Sequence, residues 1–126
     1  MSYTVKVKKL KENAVVPKRA TIGSAGADIY ACIDEPVTIE PGSLAMIPTG
    51  LAIELESSDC AAFLFARSGL GVKHGITLSN GVGVVDSDYR GEVCIILVNL
   101  SSETFVIEDG ERIAQMVICL LYTSPS

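Results

Sequence analysis

The segment Asn80-Gly-Val-Gly-Val-Val-Asp-Ser-Asp-Tyr-Arg-Gly-Glu-Val93 has apolar residues near both ends and the turn-forming residues Asp86-Ser-Asp88 at its centre. Aspartate and serine favour turns because their short side chains bond to nearby backbone amides. Two apolar runs joined by such a turn are typical of a β-hairpin. We therefore predict a hairpin here, which brings two carboxylates and Tyr89 near one bend.

The same alternation of apolar runs and turns continues outward along the chain. Ala61–Ala66 is apolar enough to be a strand buried on both faces, and Pro48-Thr-Gly50 is predicted to be a turn between two strands. Arg67–His74 is predicted to hold one short helical turn. Further strands are predicted at Val5–Leu10, Ala27–Ala31, Leu44–Ile47, Leu51–Leu55, Glu92–Asn99, Thr104–Ile107 and Arg112–Ile118. Recurring strands without a convincing amphipathic helix indicate an all-β sandwich or barrel.

The composition narrows the class of protein. The chain has 126 residues, which fits one domain, and 48% of them are hydrophobic, which argues against disorder. No apolar stretch approaches a membrane-spanning length and the first residues have no signal-peptide core, so we expect a soluble cytoplasmic protein without a membrane partner. Only Glu12 of the fifteen acidic residues precedes residue 20, whereas six of the ten basic residues do. The remaining body is acidic, which argues against a nucleic-acid partner.

The four cysteines do not indicate a metal cluster or a disulfide framework. They stand at positions 32, 60, 94 and 119, no two form a Cys-x-x-Cys pair, and His74 is the only histidine. We interpret Cys32, Cys60 and Cys94 as small buried apolar residues.

Glycines and arginines mark the region where chemistry is expected. Six of the eleven glycines fall between Gly69 and Gly91, a pattern that fits loops around a small ligand and equally fits tight turns without one. Arginines beside glycine in this acidic body indicate an anion site, or each pairs with a carboxylate. A carboxylate beside an anion site can act as a general base for an attacking water. Asp86 and Asp88 are the candidates, and capping of the turn is the alternative for each.

Four segments carry a resemblance to a known family. Ala25–Ala31, Arg67–Gly71, Gly83–Val93 and Gly110–Gln115 resemble, in order and spacing, the four motifs of the trimeric dUTPase family, and the likeness extends from Lys8 to about Ile118. The resemblance implies a jelly-roll-like β-sandwich that forms a homotrimer with its sites between subunits. It also implies hydrolysis of dUTP to dUMP and pyrophosphate, which lowers cellular dUTP and supplies dUMP.

The resemblance implies a role for several residues of the third motif and its surroundings. Asp86 is the general base that polarises the water attacking the α-phosphorus. Tyr89 packs against the deoxyribose and excludes a 2′-hydroxyl group. Asn80 and the hairpin backbone, including Val84 and Val85, hold the uracil edge, while Cys94 lies near the nucleotide. The residues implied to touch the nucleoside are Asn80, Gly83, Val84, Val85, Asp86, Tyr89 and Cys94.

The other motifs are implied to serve the triphosphate. Ser68, Gly69 and Gln115 donate hydrogen bonds to phosphate oxygens, and Arg67 contributes positive charge. Asp28 reaches a Mg²⁺ cofactor through a bound water, which suits an ion that keeps its waters and binds substrate phosphates. Arg90 and Arg112 are expected to brace the site through carboxylates rather than touch the substrate.

The sequence departs from the family after Ile118. The family continues with another strand and a glycine-rich tail, and Cys119-Leu-Leu-Tyr-Thr-Ser-Pro-Ser126 matches neither. We expect a domain over residues 1–118 and a non-native end over 119–126, which resembles a translated sequencing adapter; a genuine short variant is the alternative. Two rival functions stay open. One is a dUTPase-like nucleotide-binding or regulatory protein without turnover, and the other is a dCTP deaminase with Glu92 as its catalytic glutamate.

Overall fold

The computed structural model describes residues 4–121. Its elements in chain order are β1 (Val5–Lys9), β2 (Ala27–Tyr30), β3 (Val37–Ile39), β4 (Leu44–Leu55), β5 (Cys60–Phe65), α1 (Ser68–His74), β6 (Ile76–Leu78), β7 (Gly83–Val85), β8 (Glu92–Asn99), β9 (Phe105–Ile107) and β10 (Arg112–Leu120). Within the described residues no helix is long and apolar enough to cross a membrane.

The strands form two four-stranded antiparallel sheets and one small two-stranded sheet. The first sheet has the order β1-β4-β8-β6, the second has the order β2-β10-β5-β7, and β3 pairs with β9. Buried and half-buried residues alternate along β8, as expected for a strand with one face on a core. Fully buried side chains of both sheets, such as Ile47 and Leu97 from the first and Ala62 and Ile113 from the second, belong to one apolar cluster. The all-β prediction is confirmed, and its form is a sandwich.

The predicted hairpin of residues 80–93 is wrong. Its first flank, β7, pairs with β5, while its second flank, β8, pairs with β4 and β6 in the other sheet. The turn itself is present, since the Tyr89 amide donates to the Asp86 carbonyl at 3.1 Å. Residues 86–91, named here the crossing loop, therefore pass from one sheet to the other. A local pattern of apolar flanks around a turn cannot tell which strand each flank will pair with.

The predicted turn at Pro48-Thr-Gly50 is also wrong, because β4 runs unbroken through it. The pairing between β4 and β8 shifts register between Pro48 and Ala52, which marks a bulge. Gly50 has φ +69°, and a Cβ atom there would lie 2.8 Å from the Cys32 sulfur, so only glycine fits. Two three-residue strands, β3 and β6, were not predicted; both are too short to show a period.

The short helix, the cysteines and the end of the last strand were predicted with different success. The helical turn predicted within Arg67–His74 is confirmed as α1. Cys32 and Cys60 are buried as predicted, but Cys94 is only half-buried. Strand β10 passes the expected domain boundary at residue 118, and its last residues, Cys119 and Leu120, pair with β5. Residues 122–126 of the expected non-native end lie outside the described residues.

Candidate functional site

A crevice of about 320 Å³ opens where the crossing loop leaves the second sheet. Every residue for which the resemblance implied nucleoside contact lines it: Asn80, Gly83, Val84, Val85, Asp86, Tyr89 and Cys94. Its walls come from both layers of the sandwich, because β7 belongs to one sheet while Cys94 lies on β8 of the other. The structure thus brings the third motif together in one concave surface.

The wall formed by β7 is suited to reading a flat polar ligand. Strand β7 is the last in its sheet, so the backbone groups directed away from β5 have no strand partner within residues 4–121. Unpaired N–H and C=O groups along an edge strand offer a row of alternating donors and acceptors. Gly83 is buried against Leu64, and a Cβ atom there would meet the Leu64 side chain at 3.1 Å. The close approach of β7 to β5 therefore depends on a glycine.

Asp86 is one of the residues that line this crevice. The carboxylate makes no hydrogen bond and no ion pair with any described residue, and the turn is closed by the Asp86 backbone carbonyl instead. Turn capping by the side chain, one of the two interpretations of the sequence, is therefore not what the structure shows. Asp88 also has no side-chain partner among residues 4–121, but it does not line the crevice. The geometry favours Asp86 over Asp88 as the reactive carboxylate.

Tyr89 and Arg90 order the crossing loop in different ways. The Tyr89 hydroxyl group donates to the Glu92 carbonyl at 2.9 Å. The Arg90 guanidinium donates to the carbonyls of Ser87 at 2.7 Å and of Tyr89 at 3.1 Å. Its contact with the Glu54 carboxylate is longer, at 4.0 Å. Arg90 therefore braces the loop mainly through backbone carbonyls, rather than through a carboxylate as expected.

The residues expected at the triphosphate form a second group, named here the arginine cluster: Asp28, Arg67, Arg112 and Gln115. The Asp28 carboxylate forms ion pairs with two arginines: Oδ1 lies 3.3 Å from Arg67 Nε, and Oδ2 lies 3.5 Å from Arg112 Nη1. The Gln115 amide donates to the Ala66 carbonyl at 3.2 Å. These residues meet because β10 lies between β2 and β5, so that Gln115 stands opposite both Asp28 and Phe65. Arg112 braces the cluster through a carboxylate, as predicted.

Ser68 and Gly69 follow directly on Arg67 and are exposed. The first hydrogen bond inside α1 runs from the Gly71 amide to the Arg67 carbonyl at 3.1 Å. The amides of Ser68 and Gly69 precede it and so have no partner within the helix. A Cβ atom on Gly69 would meet nothing within 4 Å, so packing inside this chain does not require the glycine.

The crevice, which Leu64 also lines, lies beside β5, and the arginine cluster lies beyond the end of that strand. Val85, next to Asp86, stands opposite Ala62 on β5, whereas Arg67 follows the far end of that strand. Five residues of extended chain separate Ala62 from Arg67, which is about 17 Å at the usual rise of a strand. Asp86 therefore lies toward one end of β5 and the arginine cluster toward the other.

Four residues that line the crevice were not expected at a dUTP site: Met46, Leu64, Glu92 and Val93. Met46 is 65% exposed although it is apolar, and it lies on β4 beside the crevice. Glu92 was considered only as a deaminase glutamate, but its carboxylate accepts the Gly50 amide at 2.8 Å. That bond ties Glu92 to the bulge of β4, which argues against a free catalytic carboxylate. Neither role has a local sequence signal, because both depend on pairing between β4 and β8.

Cys94 offers a way to test the crevice by chemistry. Burial, and secondly the Glu92 carboxylate, raise the pKa of the Cys94 thiol. Because the thiolate is the reactive form, we expect Cys94 to react with iodoacetamide more slowly than an exposed cysteine at pH 7.5 and to gain reactivity only at higher pH. Peptide mapping by mass spectrometry measures this, and a Cys94→Ala variant identifies the peptide. Saturating dUMP should slow the reaction further. Rapid labelling at pH 7.5 with a rate that does not change on adding dUMP would contradict the placement of Cys94 in the nucleotide crevice.

The acidic residues do not form a metal cage. Within the described residues no three His, Cys, Asp or Glu side chains are grouped as metal ligands. Asp28 is a single carboxylate whose two oxygens already face arginines. This donor set fits a magnesium ion that arrives on the triphosphate and keeps its waters, with Asp28 acting through one of them. It does not fit an ion held by protein ligands alone.

A family model described as dUTPase matches residues 12–125. The chain belongs to the dUTPase family. Among curated relatives of this dUTPase-family chain, the deoxyuridine 5'-triphosphate nucleotidohydrolase of Desulfitobacterium hafniense (strain DSM 10664 / DCB-2) is 58% identical over 102 residues, which cover 81% of this chain and 68% of the relative. The enzyme of the same name from Neisseria meningitidis serogroup A is 54% identical over 120 residues, covering 94% of this chain and 80% of the relative.

Solved dUTPase structures have the same fold. An aspartate-to-asparagine mutant of the Staphylococcus bacteriophage 80alpha dUTPase with dUpNHpp aligns with a TM-score of 0.85 at 28% identity, covering 98% of this chain and 94% of that one. An aspartate-to-asparagine mutant of the dUTPase from phage phi11 of S. aureus aligns with a TM-score of 0.85 at 27% identity over the same shares, and is described as coordinating a structural Mg(II) ion. The dUTPase-like fold implied by the sequence is confirmed.

Proposed function

We propose that the protein hydrolyses dUTP to dUMP and pyrophosphate, by attack of water on the α-phosphorus. The reaction lowers dUTP and supplies dUMP. The proposal is carried by one observation: all seven residues expected to touch the nucleoside line one crevice, with the unpartnered Asp86 carboxylate among them. The family match and the names of the relatives support it.

Uracil is read by the edge of β7. The backbone groups of β7 that are directed away from β5, together with the Asn80 amide, supply donors and acceptors that match the carbonyl, N–H and carbonyl sequence of uracil. Cytosine presents a donor where uracil has an acceptor, so buried groups of the site would go unpaired. Thymine is excluded because the wall formed by β7 closes on the position that its 5-methyl group would occupy.

Asp86 acts as the general base. Its carboxylate is free to accept a hydrogen bond from a water, because no described residue occupies it. A base must lie within hydrogen-bond distance of the proton that it removes, and an unpaired carboxylate in the crevice can meet this condition when the α-phosphate enters. Tyr89, beside it, packs on the deoxyribose and leaves no space for a 2′-hydroxyl group.

The triphosphate is held by the arginine cluster of a neighbouring copy. The positions of Asp86 and Arg67 along β5 differ by about 17 Å by the rise of a strand, and we infer that a complete site takes its two halves from two subunits. This supports the homotrimer implied by the family. Ser68, Gly69 and Gln115 donate to phosphate oxygens, and Arg67 supplies charge that Asp28 orients. Magnesium, when bound on the triphosphate, neutralises phosphate charge, and Asp28 faces it through water.

We expect strong selectivity for dUTP over dCTP, dTTP and UTP. Unpaired polar groups should reject cytosine by about 10⁴ in kcat/KM, and steric exclusion should reject thymine and ribose. Pyrophosphate release from each nucleotide at equal concentration measures this, and ammonia release from dCTP tests for deamination. Turnover of UTP comparable with that of dUTP would contradict the exclusion of ribose by Tyr89. Tight dUTP binding without any turnover would favour the regulatory alternative.

A further inference from the structure

We propose that Gly91 is a positioning residue that sets the place of the Tyr89 ring and thereby the discrimination between deoxyribose and ribose. The proposal rests on the proposed function, in which Tyr89 closes against the sugar. It concerns a position to which the resemblance gave no role, two residues beyond the tyrosine in the crossing loop.

The Tyr89 ring folds back over the backbone of Gly91. A Cβ atom on Gly91 would lie 2.5 Å from the Tyr89 hydroxyl oxygen, 2.7 Å from Cζ and 3.2 Å from Cε1. The three nearest atoms all belong to this one side chain. Gly91 is not among the glycines with positive φ, so its backbone conformation suits alanine as well. The glycine is therefore needed by the tyrosine ring and not by the backbone.

The surroundings decide which part would move if a methyl group were added. The Tyr89 hydroxyl donates to the Glu92 carbonyl at 2.9 Å, and the Glu92 carboxylate is in turn tied to the Gly50 amide at 2.8 Å. Arg90 holds the loop carbonyls on the other side. The backbone is thus anchored at several points, whereas Tyr89 is 44% exposed and its ring can swing outward. The ring is the part that yields, and it loses its bond to Glu92.

A displaced ring no longer closes on the sugar, so Gly91→Ala should admit ribonucleotides. We expect the ratio of kcat/KM for dUTP over UTP to fall by about tenfold or more, the scale on which one steric contact in a pocket discriminates. Most of the change should appear as a lower KM for UTP, since the contacts with the base and the phosphates are unchanged. The matched control is Gly23→Ala, an exposed glycine whose Cβ would meet only Thr21 Oγ1 at 3.9 Å.

A double-mutant cycle separates this role from a general structural one. Tyr89→Ala alone should also lower the dUTP over UTP ratio, and adding Gly91→Ala to it should change nothing further, because there is no ring left to displace. Equal losses for dUTP and UTP in Gly91→Ala, or an effect that persists in the Tyr89→Ala background, would overturn the proposal. If Gly91→Ala fails to fold by circular dichroism, Tyr89→Phe removes the anchoring hydroxyl, and an unchanged ratio in that variant overturns the proposal.

Binding distinguishes failure of this inference from failure of the proposed function. An unchanged ratio in a well-folded Gly91→Ala enzyme that still hydrolyses dUTP refutes only the role of Gly91. If the wild-type chain does not hydrolyse dUTP, the proposed function fails, and calorimetry with dUMP and UMP provides the ratio instead. A wild-type preference for dUMP that is lost in Gly91→Ala supports the inference; a preference that stays, or no binding of either, overturns it.

Discussion

Asp86→Asn is expected to slow dUTP hydrolysis by about 10²–10⁴ while dUTP binding stays largely intact, the usual scale for loss of a positioned general base. Asparagine has nearly the shape of aspartate but cannot take a proton from water. The substitution costs the fold little, because the carboxylate bonds to no described residue and the turn is closed by the backbone. Single-turnover pyrophosphate release gives the chemical step, and calorimetry with a non-hydrolysable analogue gives binding.

Asp88→Asn is the matched control for this substitution. Asp88 lies in the same turn and is equally exposed, but it does not line the crevice. We expect the rate of dUTP hydrolysis to change by less than about tenfold, since Asp88 takes no part in removing the proton from water. If both variants hydrolyse dUTP at near-normal rates, Asp86 is no base and the proposed mechanism is wrong.

Mixing two inactive variants should restore activity. Asp86→Asn damages the crevice of a chain and leaves its arginine cluster intact, whereas Arg67→Ala does the reverse. If each site takes its halves from two subunits, an equal mixture, unfolded and refolded together, should recover about a quarter of wild-type activity, since half the chains carry a sound crevice and half a sound cluster. Each variant alone should stay at least about a hundredfold below wild type.

The same experiment has an internal control. Mixing Asp86→Asn with Tyr89→Ala should restore nothing beyond the sum of the two, because both changes fall in the same crevice. Recovery in the first mixture but not in the second supports shared sites. Absence of recovery in both, with oligomers shown to exchange chains by mass spectrometry, would mean that each subunit holds its own complete site.

The fold was predictable where a strand is long and its neighbours are marked by turns. The run Glu92–Asn99 is recovered residue for residue as β8, because a continuous apolar run of strand length stands between two polar residues. The Pro48–Gly50 bulge was taken for a turn because proline and glycine punctuate both. In the structure Gly50 packs against Cys32 and Ala14, which are distant in sequence and give no local signal.

The candidate site was predictable in its members but not in its arrangement. The motifs named Asp86 and Tyr89 for the crevice and Arg67 and Gln115 for the arginine cluster, and the structure brings each pair together. The pattern could not give the separation of the two groups along β5, since this follows from the pairing of Val85 with Ala62. It also could not give the bond between Glu92 and Gly50, which joins two strands across the bulge.

The crossing loop links the ability of the site to bind nucleotide to local unfolding of the edge strand β7. Strand β7 is held to its sheet by only three residue pairs with β5, and the loop that carries Asp86 and Tyr89 begins where β7 ends. When β7 detaches, Asp86 and Tyr89 leave their positions together while β8 stays in the opposite sheet. The free energy of this opening sets the fraction of molecules competent to bind. The apparent Kd for nucleotide is the intrinsic Kd divided by that fraction, so a substitution that loosens β7 weakens binding without touching the ligand.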